Sequence, residues 1–284
     1  MYRYAKSTPF SGHRSNVPLT NDQIAYYAPS VVADGAHESR GERYTFIPTI
    51  NVIDGLRREG FEPFEVRQTR VRDISKREHT KHMVRLRHAD VATTDGEVGE
   101  IILLNSHDGS SSYQLLSGFF RFVCDNGLIA GDVTNDIRVR HSGNVVDNVI
   151  EGATRILDDL QVAQERLETF KSITLSPDEQ TLFANAALSL RWEQDQAPVT
   201  ADRVLIPNRW DDRKNDLWTT FNRVQESLVK GGVHGRAKTG RRLTTRAVSG
   251  VSENVKLNRA LWSLADGMAN LKQGVIDIEE LVAA

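Results

Sequence analysis

Hydrophobic and polar positions change their period along this chain, and each change marks a candidate element. Residues 1 to about 44 hold no sustained period. Pro9, Gly12, Pro18, Pro29, Gly35 and Gly41 interrupt them, and only Asp22 to Tyr27, after Thr20, suits a short helix. Tyr2, Tyr4, Phe10, Tyr26, Tyr27 and Tyr44 are many aromatics for a free tail, so part of this arm is expected to pack on the body. From Thr49 the spacing of Ile50, Val52, Ile53 and Leu56 predicts a helix ending at Gly60. Period-two alternation then predicts strands over Phe61 to Arg72 and Lys81 to His88. The continuous apolar run Gly99 to Ser106 predicts a central strand buried on both sides. Thr-Thr-Asp-Gly at 93–96 is a hairpin signal. Tyr113 to Val123 reads as a helix, and Ile137 to His141 as a weak strand extending the sheet.

The second half is helical. Val145, Val149, Ile156, Leu160, Ala163, Leu167 and Phe170 recur at helical spacing over Asn144 to Lys171. Ser176-Pro177-Asp178-Glu179 combines a capping box with proline at the first helical position and opens a helix to about Trp192. Pro198 to Pro207 is extended or looped. A further helix spans Asp212 to Lys230, stopped by Gly231-Gly232, and the last begins at Ser252. The expected fold is α+β: a helix, a three-stranded antiparallel sheet and a second helix form a core, followed by a mostly helical C-terminal half. The expected organisation is an irregular arm (1–44), the α+β core (45–143) and a helical region (144–284) packed on it as one unit.

Composition narrows the classes. The chain has 284 residues, 39% hydrophobic and 26% charged, which fits an ordinary globular protein. Its single cysteine, Cys124, excludes an internal disulfide and a cysteine-based zinc site. No apolar run is long enough for a signal peptide or a membrane span, so a cytosolic protein with no membrane partner is expected.

Net charge is only −2, so polyanion affinity has to come from local patches. Two stand out. The run 230–246 carries Lys230, Arg236, Lys238, Arg241, Arg242 and Arg246 with His234 and no acid, and four glycines keep it from being one helix. Between Arg70 and His88 there are seven Lys or Arg, including Arg70, Arg72, Lys81, Arg85 and Arg87, against two acids. Alternation puts Arg85 and Arg87 on one strand face, where they would meet backbone phosphates. The bland alternatives are a solvated loop for the first patch and, for the second, cross-strand pairing with acids such as Glu97 or Glu100.

Other chemistry is sparse. His107, Gly109, Ser110 and Ser111 follow the buried strand and precede the predicted helix, a place where phosphate meets free backbone N–H groups. Capping by Asp108 and the serines is the simpler use, and a hydrolase built on His107, Asp108 and Ser110 is the weakest reading. His79, His82 and His88 lie among arginines that repel a cation. Neither a Walker loop nor a dinucleotide fingerprint occurs, so no metal, cofactor or catalytic residue is expected. Asn222, Arg223, Gln225 and Glu226, with Asn258 and Arg259, suit a buried polar network that holds the basic loop.

Several strings carry a resemblance. W-T-T-F-N-R-V-Q-E-S-L-V-K-G-G (218–232), G-R-R-L-T-T-R-A-V (240–248), N-V-K-L-N-R-A-L-W (254–262) and S-H-D-G-S-S-S-Y-Q-L-L-S-G-F-F-R-F-V-C-D-N-G-L (106–128) are together similar to the phage- and plasmid-borne family called domain of unknown function 932. The resemblance covers roughly residues 45 to 275 and implies a phage, prophage or plasmid setting, without an activity to transfer. In architecture alone, the predicted core resembles single-strand annealing recombinases such as the lambda beta protein, which are oligomeric and hold single strands in a basic groove. The expected function is therefore nucleic-acid binding without catalysis, with single-stranded DNA as partner, self-association, and a role in recombination or replication. The alternative is a host-interaction or anti-defence protein acting by protein–protein contact.

Overall fold

The structure is a computed structural model, and it describes residues 12–41, 44–71, 74–122, 126–130, 137–141, 144–193 and 196–274. The chain forms two compact units. The first comprises residues 1–128, 133–160 and 249–251, the second residues 129–132, 161–248 and 252–284.

In the first unit an antiparallel sheet curls around itself. Its strands are β1 (Gly12–Arg14), β2 (Phe61–Gln68), β3 (His82–His88), β4 (Thr93–Thr94), β5 (Glu97–Asn105), β6 (Tyr113–Arg121), β7 (Asn126–Ile129) and β8 (Ile137–Val139). Their order is β1-β2-β3-β5-β6-β7, with β4 paired to β5 and β8 to β6. The predicted hairpin at 93–96 is present: Asp95 (φ 50°) and Gly96 (φ 76°) turn β4 onto β5. The α+β class and the helical second half stand, but the sheet exceeds three strands.

One sheet face carries Val66, Val84, Leu86, Ile101, Leu103 and Leu115, all buried. It packs on α1 (Asn21–Tyr27), α2 (Thr49–Arg58) and the start of α3 (Val145–Ser172) through Ile24, Val52, Ile53, Leu56, Val149 and Ile156. Each such side chain contributes roughly 1.5–3 kcal/mol by leaving water. The arm contributes more than expected, since Leu19, Ile24 and Val31 all enter this core. Thr20 caps α1 through a capping box with Gln23.

The helix expected at Tyr113 to Val123 is instead strand β6, registered against β5 from Leu104↔Gln114 to Glu97↔Arg121. Leu115, Leu116, Phe119 and Phe120 imitate a helical face, yet they are the apolar run of a strand buried on both sides. Gly118 marks the tight crossing: a β-carbon there would lie 2.5 Å from the Leu128 carbonyl oxygen.

In the second unit, α4 (Pro177–Ser189), α5 (Ala201–Val204), α6 (Leu217–Lys230) and α7 (Val251–Lys272) follow. Ser176 and Glu179 form the predicted capping box on α4. Helix α6 is buried from Leu217 to Val229, so it is the central helix, with Phe221 and Phe170 packed on Trp262. Its Gln225 donates to Asn258 at 2.6 Å, part of the polar network that its sequence suggested.

Candidate nucleic-acid interface

The basic run 230–246 is an ordered two-stranded ribbon. Helix α6 ends because Gly231 (φ 68°) and Gly232 (φ 82°) take left-handed conformations. At Gly231 a β-carbon would lie 2.5 Å from the Arg246 carbonyl carbon, so only glycine lets the returning chain close. Strand β9 (His234–Arg236) then pairs with β10 (Arg242–Thr244), placing Arg236 opposite Arg242 and His234 opposite Thr244. A turn over 237–240 joins them, closed by Gly240 N–H to Ala237 O at 2.8 Å. Arg191 fixes the base by donating to the Leu228 and Arg246 carbonyls, the latter at 2.5 Å.

Arg236, Lys238, Arg241, Arg242 and Arg246 are exposed, and among the described residues none of them pairs with a carboxylate. Lys230 differs, since Glu226 holds it at 3.3 Å. The ribbon leans on the segment before α5: Arg236 N–H donates to Pro198 O at 2.8 Å, and a β-carbon on Gly235 would collide with that oxygen. Beside it runs a groove of about 780 Å³, whose walls include Thr200, Arg203, His234, Arg236, Arg242 and Thr244. A second hollow of about 320 Å³ shares Arg203 and His234 and continues toward Asn208 and Lys230. Arg203 is a groove residue that the sequence pattern did not assign, because α5 lies in a stretch that reads as extended or looped, whereas His234 belongs to the basic run itself.

The sheet arginines are placed otherwise. Arg85 is 1% exposed inside the curl, where Nη1 donates to Glu100 at 2.7 Å and Nη2 to Leu128 O at 3.1 Å. Arg87 Nε donates to Glu100 at 2.9 Å, and its guanidinium lies 4.1 Å from the Phe64 ring and 4.7 Å from Phe120. A bulge between Pro63 and Glu65 sets Glu65 directly opposite Arg85. Burial would raise the Glu65 pKa, but Arg67, Arg14 and Arg85 outweigh it and hold the carboxyl at about 2. The expectation that Arg85 and Arg87 face backbone phosphates is thus corrected, because curling buries the second sheet face and cross-strand glutamates neutralise it. Arg70 is exposed beyond the end of β2 and Lys81 is half-buried before β3, each with a polar partner; Arg72 lies outside the described residues.

The turn 106–112 does not offer a helix N-terminus, because a strand follows it. Asp108 accepts from Ser110 N–H at 2.9 Å, and Ser106 Oγ accepts from Ser111 N–H at 2.8 Å, so the polar groups serve the turn itself. Gly109 and Ser110 are exposed, while Ser111 and His107 are buried. This corrects the phosphate role expected of His107 and Ser111. His107 instead belongs to a cluster around the Thr49 hydroxyl, with His82 Nε2 at 2.8 Å, Asn105 Nδ2 at 2.9 Å, His107 Nε2 at 3.3 Å and Tyr113 OH at 3.4 Å. His82 passes its other nitrogen to Ser30 Oγ at 2.9 Å. Burial pushes the His82 pKa down to about 4 and the His107 pKa down to about 3, so both rings are neutral at pH 7.

Among the described residues no group of three or more histidine, cysteine or carboxylate side chains is arranged to hold a metal ion. None of the described helices is long and apolar enough to cross a membrane.

Two proteins of Escherichia coli K12 are similar over most of their length. UPF0380 protein YafZ is 51% identical over 255 residues, covering 90% of this chain and 93% of the relative. UPF0380 protein YfjQ is 52% identical over 253 residues, covering 89% and 92%. No solved structure matches the chain. Residues 36–262 match the family described as "Domain of unknown function (DUF932)", and with that match and these relatives the chain belongs to this family.

Proposed function

We propose that the protein binds nucleic acid, with single-stranded DNA as its partner, through the β9–β10 ribbon and the adjoining groove. It acts without catalysis, as a self-associating annealing or accessory factor in recombination or replication of a phage, prophage or plasmid. One observation carries the reading: five exposed cations without a carboxylate partner among the described residues are gathered on one ribbon of a chain whose net charge is −2. Such a local excess attracts a polyanion through counterion release, and guanidinium planes stack on unpaired bases. The glycine closure and the Arg191 clamp hold these charges in place beforehand, which lowers the ordering cost of binding.

The test is fluorescence anisotropy with labelled single-stranded DNA, duplex DNA and RNA across a salt series. Replacing Arg236, Arg241, Arg242 and Arg246 together by serine is expected to lower affinity and flatten the salt dependence. The log–log slope is expected to fall by roughly 0.7 for each single-strand phosphate that is no longer neutralised. Absence of binding at low salt by the unaltered protein overturns the reading.

A second reading, a host-interaction or anti-defence protein, is favoured by Trp210, which is 77% exposed with Arg213 packed 4.4 Å over its ring. Exposed Trp and Arg are the residue types that anchor protein interfaces. Partner retention that survives nuclease and disappears in Trp210→Ala would favour this reading.

A further inference from the structure

The first unit contains a second cationic surface, built from residues that neither the basic run nor the sheet interior includes. Strand β8 pairs with β6 through Leu115↔Ile137, Gln114↔Arg138 and Tyr113↔Val139. Val139 is thereby turned into the core, while Arg138 and Arg140 stay exposed. Helix α3 crosses directly over this strand. Its Gly152 permits the approach, since a β-carbon there would lie 2.7 Å from Leu115 Cδ1 and 2.9 Å from Ile137 Cγ2. The crossing leaves a cleft of about 310 Å³ along the strand, lined by Arg138, Arg140, Asn148, Glu151 and Arg155.

The lining of this cleft carries more cations than anions. Three guanidiniums face one carboxylate, and that carboxylate, Glu151, is engaged by Arg155 at 2.5 Å. Both members of the pair are more than 60% exposed, so water and salt screen it and an incoming anion can compete for Arg155. Arg138 has a polar partner of its own, whereas among the described residues Arg140 has neither an acidic nor a hydrogen-bonding partner for its guanidinium. Asn148, one helical turn before Gly152, adds a neutral donor on the same helix face. A small, open, polar cleft with arginines from both the strand and the helix matches the chemistry of a phosphate group, which accepts charge-assisted bonds from several directions.

We infer that the cleft between β8 and α3 binds phosphate, and that it serves as a backbone-binding point for nucleic acid in the first unit, distinct from the β9–β10 ribbon of the second. This rests on the nucleic-acid reading for the source of the phosphate; a free phosphorylated small molecule presents the same chemistry and is distinguished below.

The experiment compares the full-length protein with Arg140→Ser/Arg155→Ser, with Arg140→Lys/Arg155→Lys, and with the four-residue ribbon variant. Each is titrated with labelled single-stranded DNA over a salt series, with and without millimolar inorganic phosphate or ATP. Thermal melting verifies that all variants fold. The serine double variant is expected to bind about tenfold more weakly at low salt, with a log–log salt slope lower by about 1.4, two single-strand phosphates at roughly 0.7 each. The lysine double variant is expected to retain most of the slope. If the unaltered protein binds, the ribbon variant weakens and the serine double variant matches the unaltered protein, this inference fails while the proposed function stands. If ATP or phosphate saturates the cleft without affecting DNA binding, the site belongs to a small molecule and its role toward the strand is overturned. If no form binds nucleic acid, the proposed function fails and this inference with it.

Discussion

Arg85 and Glu100 face each other across β3 and β5 with 2.7 Å between Nη1 and Oε2, and neither side chain is more than 2% exposed. Glu100 also binds Arg87, whereas Arg85 shares its second partner, Glu65, with Arg14 and Arg67. The two ends of the pair are therefore unequal. Glu100→Leu leaves Arg87 without its carboxylate and Arg85 with Glu65 alone at 3.8 Å, and is expected to cost toward the top of about 3–5 kcal/mol, the range for breaking a buried ion pair. Arg85→Met leaves both glutamates with other arginines and is expected to cost less. Urea unfolding of the two variants checks the order. Equal losses, or a weaker effect at Glu100, contradict the network as drawn.

Thr49 is the hub of the buried histidine cluster. Thr49→Val keeps the shape but removes the hydroxyl that joins His82, Asn105 and His107. Each buried polar group left without a partner costs about 1–3 kcal/mol. Thermal melting is expected to show a loss of that order or greater for the variant, with the far-UV spectrum unchanged at low temperature.

Acid is expected to destabilise the first unit in two stages. His82 and His107 bind protons more weakly in the fold, at about 4 and about 3, than histidine does in an unfolded chain near 6.5. Between these limits the unfolded chain holds more protons, so stability falls as pH drops below about 6.5, by up to about 1.4 kcal/mol per pH unit per histidine. Glu65, held at about 2, adds its own loss as pH falls below about 4.5. Melting temperatures at pH 8, 6 and 4.5 test this. A flat profile between pH 7 and 5 defeats the histidine assignment.

Gly231 and Gly232 differ in what a methyl group would meet. Both have positive φ, but Gly231 lies against Arg246 backbone while nothing stands within 4 Å of the Gly232 position. Gly232→Ala is expected to cost about 1 kcal/mol of backbone strain, and Gly231→Ala considerably more, with loss of the ribbon's closure. Calorimetry separates the two, and DNA binding, if the proposed function holds, is expected to weaken in Gly231→Ala alone.

Much of the secondary structure is legible in the sequence, because capping, periodicity and glycine stops act within a few residues. The Ser176–Glu179 box, the Gly231-Gly232 stop, the Asp95-Gly96 hairpin and the all-buried strand β5 are each readable without coordinates. Strand β6 reads as a helix because a strand covered on both faces loses its alternation, and the covering is a property of the whole sheet.

The chain by itself also determined that positive charge is concentrated at 230–246, since charge is counted without coordinates. Whether a given arginine meets water or a carboxylate was decided only by tertiary structure. Arg85 and Arg242 look alike as residues in basic runs, yet curling of the sheet brings Glu65 and Glu100 to Arg85, while the two-stranded ribbon holds Arg242 out in solvent. Ion pairing depends on distance in space, and here the partners stand 15 and 20 residues away from Arg85 on neighbouring strands, beyond the reach of any local pattern.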